Sequence, residues 1–174
     1  FAALPKGTTM HVTSTTPLDD GTTEREFDLD GIPGILWTPS TASPAAPAPL
    51  ILLGQPGGIG MRRMYPRLAA RARAAAAQGF ASVAIEPPGA GDRPPLPGAE
   101  QARADLMRAI SAGERPGDDV IDRLILPLVD RAVPEWQRTL DAVLDLPQIG
   151  ERGGFSGGVI AIAVRLAAID PRIA

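Results

Sequence analysis

The sequence predicts an α/β fold: a mostly parallel sheet with flanking helices. Three observations carry this. Leu50 to Leu53 (LILL) is a short continuous apolar run, the pattern of a strand buried on both faces. A glycine-rich loop (Gly54 to Gly60, GQPGGIG), a helix-forming stretch (Arg62 to Gln78) and a second apolar run (Phe80 to Ile85, FASVAI) follow in order. Strand, loop, helix, strand is a βαβ unit, whose crossover makes the two strands parallel. Third, a short strand at Glu151 to Phe155 runs through another glycine turn into an apolar helix at Val159 to Ile169.

The remaining elements follow from local pattern. Glu24 to Leu29 (EREFDL) alternates polar and apolar residues, as a half-buried strand does. Ile32 to Trp37 is its partner, joined by Asp30-Gly31, a pair suited to a tight hairpin turn. Pro39 to Pro49 (PSTASPAAPAP) is a linker too poor in large apolar residues to build a core. Pro66 is expected in the first turn of its helix, where a missing N–H matters least. Three more helices are expected at Glu100 to Ser111, Asp118 to Leu126 and Pro134 to Leu146, with Pro127 ending or kinking the middle one. ERGGF is poor strand material, and its strand is assigned by position. The Val159 to Ile169 helix is almost wholly apolar and is expected to be buried.

Composition bounds the function. The chain has 174 residues, enough for one domain with a core. Its net charge of −3 lacks the basic footprint of a nucleic-acid binder. With no cysteine, disulfides and thiolate metal sites are excluded. No apolar run is long enough to span a bilayer and no signal segment opens the sequence, so a cytoplasmic location is expected. Residues 1–9 (FAALPKGTT) read as a tag or extension ahead of Met10, and 10–174 as one domain.

The chemistry concentrates at Gly154-Phe155-Ser156-Gly157-Gly158. A strand that turns at once into a helix forces strained dihedrals on the linking residue and crowds its neighbours. Glycine is then wanted two positions to either side, as Gly154 and Gly158 provide. The helix N-terminus would present free N–H groups to an oxyanion, Gly157 N–H among them. The plainer reading is a Gly/Ser turn before an apolar helix; placement at a strand–helix junction favours the nucleophile.

At these residues the sequence resembles the α/β-hydrolase family, in particular its dienelactone-hydrolase-like serine esterases. The resemblance runs over most of residues 24–174. It takes in the antiparallel opening strands, LILLGQPGG, FASVAIEPPGAGD, and GFSGG with its helix. It implies Ser156 as the catalytic nucleophile and Gly157 as one oxyanion donor. In that family a loop often spelled H-G-G-G gives the second donor. Here Gln55 stands for the histidine, and Pro56 has no N–H, which leaves Gly57. The resemblance implies a small-molecule ester substrate, no cofactor, and a possible lid over residues 96–133. It also implies an acid and then a histidine after the serine. The only histidine is His11, ahead of the sheet and read as solvated, and Ala174 is the last residue. The expectation is therefore an α/β-hydrolase fold truncated after the nucleophile-elbow helix, inactive alone. A C-terminal complement would carry Asp or Glu and His. A non-catalytic α/β binding module is the alternative in another class.

The glycine loop also supports a competing reading. Gly54 to Gly60 resembles the T-G-x-x-x-G-I-G loop of NAD(P)-binding short-chain dehydrogenases, with Glu86 placed to meet a ribose. Against it, the only tyrosine, Tyr65, and only lysine, Lys6, cannot form a Tyr-x-x-x-Lys pair, and two strands precede the loop. Asp92 reads as a turn residue. Asp118, Asp119 and Asp122 suit a helix start rather than a metal. Arg62 and Arg63 read as solvated, and Trp37 and Trp136 as packing residues.

Overall fold

The computed structural model describes residues 9–174. The extension read at residues 1–9 lies, Thr9 apart, outside the described residues. Among the described residues six strands form one sheet: β1 (Met10–Pro17), β2 (Thr22–Leu29), β3 (Pro33–Pro39), β4 (Ala48–Gly54), β5 (Ala81–Ile85) and β6 (Ile149–Gly157). Their spatial order is β1-β2-β3-β5-β4-β6. The pairs from β1 to β5 are antiparallel; β5, β4 and β6 are mutually parallel. Thus β2, β4, β5 and β6 run one way, and β1 and β3 the other. The helices of the described residues flank the sheet: α1 (Met61–Ala76), α2 (Ala99–Ser111), α3 (Asp118–Leu144) and α4 (Ile160–Ile169).

Alternation along the strands sends neighbours to opposite faces. Leu36, Leu50, Leu52 and Val83 pack with Leu128, Trp136, Leu140 and Leu166 of α3 and α4. Ile35, Trp37, Leu53 and Ala84 pack with Met61, Leu68 and Ala72 of α1. Leu52, Leu68 and Leu140 have no exposed surface, and each such burial is worth about 2–3 kcal/mol.

The Asp30-Gly31 hairpin is as expected. Asp30 at φ 53° and Gly31 at φ 82° fit a two-residue type I′ turn, closed by reciprocal bonds between Leu29 and Ile32. β1 carries no sequence signal strong enough to assign it: an edge strand rich in Thr and Ser, mostly exposed.

Several expectations need correction. Pro66 is the sixth residue of α1, beyond the first turn, so the Arg62 carbonyl loses its helical partner. Both residues are exposed, so water can serve that carbonyl. The two helices expected around Pro127 and Pro134 are one, α3, of 27 residues. The carbonyls freed by these prolines belong to Arg123 and Asp130, both exposed, while Leu128, Val129, Ala132 and Val133 between them are buried in the core. Packing thus holds the helix through both breaks. Finally, α4 buries only Ile162 and Leu166; Ile160 is 79% and Val164 64% exposed. Beyond α4 the chain returns to β6, where Ile173 makes a parallel bridge to Gly153, flanked by Gly153 N–H to Arg172 O and Ala174 N–H to Gly153 O, each at 2.9 Å.

Candidate active site

β4 and β6 end side by side. Leu53 lies opposite Ser156, and Gly54 opposite Gly157. The chain turns at Gly157 and Gly158, both at φ 74°, and α4 begins two residues later. This juxtaposition tolerates no side chains. A Cβ on Gly158 would sit 2.6 Å from the Gln55 nitrogen and 2.7 Å from the Gly54 carbonyl carbon; one on Gly54 would sit 2.5 Å from the Gly157 oxygen. The two glycine segments therefore pack backbone on backbone at the C-terminal ends of adjacent parallel strands.

The turn at the serine differs in two ways from the expected one. The left-handed dihedrals fall on Gly157 and Gly158, not on Ser156, which remains in β6. Glycine adopts that region without a Cβ penalty, so the chain turns there. A Cβ on Gly154 would meet nothing within 4 Å, so crowding does not require glycine there, whereas it does at Gly158. Ser156 itself is exposed. Arg71 of α1 donates to its carbonyl at 2.6 Å and its Oγ at 3.1 Å, and also to the Gly54 carbonyl at 3.0 Å. Oγ accepts from the guanidinium, which leaves its own proton available to a base. No sequence signal marked Arg71, because the contact spans 85 residues.

Gln55 is buried. Its Nε2 donates to the Ile85 carbonyl at 2.8 Å, tying the glycine loop to the end of β5. Its Oε1 is buried without a partner among the described residues. Gly57 packs under α3, where a Cβ would meet Leu128 Cδ2 at 2.7 Å. A cavity of about 240 Å³ opens over Gly57 and Gly58, bounded by α2, α3 and Val159. Its α2 and α3 walls lie largely within the residues expected to form a lid.

Glu86 proves to be a cap. Its Oε1 accepts from Met61 N–H, the first residue of α1, at 2.9 Å, a role that Gly60 cannot fill. It is 8% exposed, and burial pushes its carboxyl above the usual range, against the pull of the Met61 N–H and of Arg93. The helix end that would cradle a pyrophosphate already faces a carboxylate, which disfavours a dinucleotide. Arg93 in the same loop donates to the Glu86 carbonyl and makes a bidentate pair with Glu135 of α3, which is 1% exposed. Trp136 packs edge-to-face on Phe155, with ring centroids 5.5 Å apart. Trp37 is fully buried and donates to Glu24, which also accepts from Tyr65.

Other residues stand apart from the site. His11 lies on β1, at the opposite edge of the sheet from β6. Five strand spacings separate them, about 24 Å. Asp92, Arg62 and Arg63 are exposed. Asp118 and Asp119 occupy the first turn of α3, where Asp119 pairs with Arg123. Among the described residues no three His, Cys, Asp or Glu side chains group as a metal site, and no helix is long and apolar enough to cross a membrane.

A mixed sheet with antiparallel opening strands, parallel strands beyond, and a glycine turn leading from a parallel strand into a helix defines the α/β-hydrolase type of fold. Solved structures agree. A cold-adapted esterase from an Arctic intertidal metagenomic library matches 92% of this chain at 21% identity with TM-score 0.60. A glucuronoyl esterase from Solibacter usitatus matches 99% at 16% identity and TM-score 0.59. An acetyl xylan esterase from Thermoanaerobacterium matches 95% at 15% identity and TM-score 0.54. The chain spans 61%, 52% and 50% of these proteins' lengths. No protein-family model matches the sequence, and no curated protein does.

Proposed function

We propose that this chain is the nucleophile-bearing part of a serine esterase that cleaves a small-molecule ester. The observation that carries this is the backbone-on-backbone packing of Gly54-Gln55 against Gly157-Gly158 beside an exposed Ser156. In this reading Ser156 Oγ attacks the ester carbonyl and passes its proton to a histidine. Gly157 and Gly57 N–H groups hold the oxyanion. The alcohol leaves with that proton, and water then releases the acid from the acyl-serine. The histidine and its acid come from a C-terminal complement of the same fold. The flank of β6 that, among the described residues, carries only the short Ile173 bridge, and the exposed Ile160 and Val164, would give that complement a place to pack. No cofactor enters the reaction.

The test is labelling with a fluorophosphonate probe, on this chain and on the chain extended by its downstream sequence. The extended protein is expected to label and to hydrolyse 4-nitrophenyl acetate, and Ser156→Ala to abolish both. His11→Ala leaves both unchanged. Labelling that survives Ser156→Ala would sink the assignment. The second reading, a non-catalytic α/β binding module, draws on the Arg71 contact and on the relaxed backbone of Ser156; it predicts no labelling in either form.

A further inference from the structure

A cavity of about 640 Å³ lies between β2, β3, the start of α1 and the loop after β5. Its volume falls in the range of small-molecule sites. Strand alternation puts Glu24, Glu26 and Asp28 on one face of β2, and all three line the cavity, as do Glu86 and Asp92. Among the described residues Arg62 is the basic residue on the wall; it is exposed and pairs with none of these acids.

Two of the acids are fixed by the fold and left half satisfied. Glu24 is 7% exposed, and both bonds that hold it, from Trp37 Nε1 at 2.6 Å and Tyr65 Oη at 2.8 Å, end on Oε2. Among the described residues its Oε1 accepts no hydrogen bond and no cation pairs with it. Glu86, 8% exposed, takes the Met61 N–H on Oε1, and its Oε2 accepts none among the described residues. Gly91, at φ 59°, leaves that oxygen uncovered, since a Cβ there would sit 2.8 Å from it. A charge buried this deeply is ordinarily paired, so the two free oxygens on the cavity wall call for positive charge. The acids do not group closely enough for a metal ion among the described residues. An ammonium suits them, because its separate N–H donors can reach separate carboxylates. Ile35, Met61 and Tyr65 give the wall an apolar part for the carbon chain that carries it.

We infer that this cavity binds an organic cation, an ammonium on a short apolar chain, with Glu24 as its main anchor. Glu24 on β2 stands four strand positions from Ser156 on β6, so the site is separate from the proposed nucleophile and does not depend on the esterase reading. Calorimetric titration of the chain with 4-phenylbutylamine and with 4-phenylbutanol, its uncharged counterpart, tests it. The amine is expected to bind about tenfold more tightly. Glu24→Gln keeps an oxygen for Trp37 and Tyr65 and is expected to remove that preference. Glu26→Gln, at an exposed position, is expected to reduce it about threefold while the urea midpoint stays unchanged. Equal affinities for amine and alcohol would overturn the inference. So would a preference that survives Glu24→Gln or, where that variant does not fold, Glu26→Gln; either is the mark of an unspecific acidic surface. Displacement of the amine by micromolar calcium at constant ionic strength would overturn it in favour of a metal.

Discussion

At the scale of single residues, glycine does two different jobs in this chain. Gly31 has φ 82° and nothing within 4 Å of a Cβ, so only its dihedral demands glycine. Gly158 has φ 74° and also meets the backbone of Gly54 and Gln55 under 3 Å. Gly31→Ala is expected to cost about 1 kcal/mol in urea unfolding, and Gly31→Asn less, since Asn tolerates the left-handed region. Gly158→Ala is expected to cost about 3 kcal/mol or more, because neither backbone can yield without separating β4 from β6. Equal costs for Gly31→Ala and Gly158→Ala would mean that the packing of the two glycine segments is looser than described. The sequence pointed to Gly158 through the G-x-S-x-G spelling. It could not separate Gly158 from Gly154, since the two differ in backbone conformation and in what lies across the sheet, neither of which the spelling shows.

At the scale of elements, α3 shows tertiary packing overriding local propensity. Its two prolines read as helix boundaries, yet Leu128, Val129, Ala132 and Val133 between them are buried against the sheet. Pro134 is exposed, and its ring removes the bond that would reach the Asp130 carbonyl. Pro134→Ala restores that donor without disturbing the core. It is expected to stabilise the protein by about 1–3 kcal/mol, read as a higher urea midpoint at unchanged slope. No change would mean that the helix is already relaxed around the proline. The opposite lesson comes from β6. Its ERGGF core has little strand propensity, and it is a strand because β4 offers it a parallel ladder from Leu50 to Gly54. Its position after a helix and before the glycine turn made it legible despite its residues.

At the scale of the whole molecule, the acid response combines two buried carboxyls of opposite sign. Arg172 donates to both oxygens of Asp170 and holds its pKa down to about 2, from an ordinary 3.8; Asp170 is 3% exposed. A depressed folded pKa gives stability that is present above 3.8 and is lost as pH falls toward 2. The difference amounts to about 2 kcal/mol. Glu86 has the reverse sign. Its raised folded pKa means that burying the charge costs stability at neutral pH, and the cost is relieved as pH falls through that raised value toward the ordinary Glu range. Asp170→Asn is therefore expected to destabilise by up to about 2 kcal/mol at pH 7, with the gap to the parent closing between pH 4 and about 2. Glu86→Gln should show its gap changing at higher pH instead. Thermal unfolding across pH 2–7 checks both, and a pH-independent gap for Asp170→Asn would remove its linkage to Arg172.

By itself the sequence determined the period of the apolar residues, the βαβ unit, the Asp30-Gly31 turn and the two glycine segments, because these are set by residues adjacent in the chain. Ser156 and Gly157 could be singled out for the same reason, and Gly57 only through the family resemblance. The tertiary structure alone decided what depends on distant segments meeting. Arg71 reaches Ser156 across 85 residues, Glu86 caps α1 from the end of β5, and α3 runs through its prolines. None of these pairings leaves a local signature, since each is fixed by the sheet order that brings β4, β5 and β6 together.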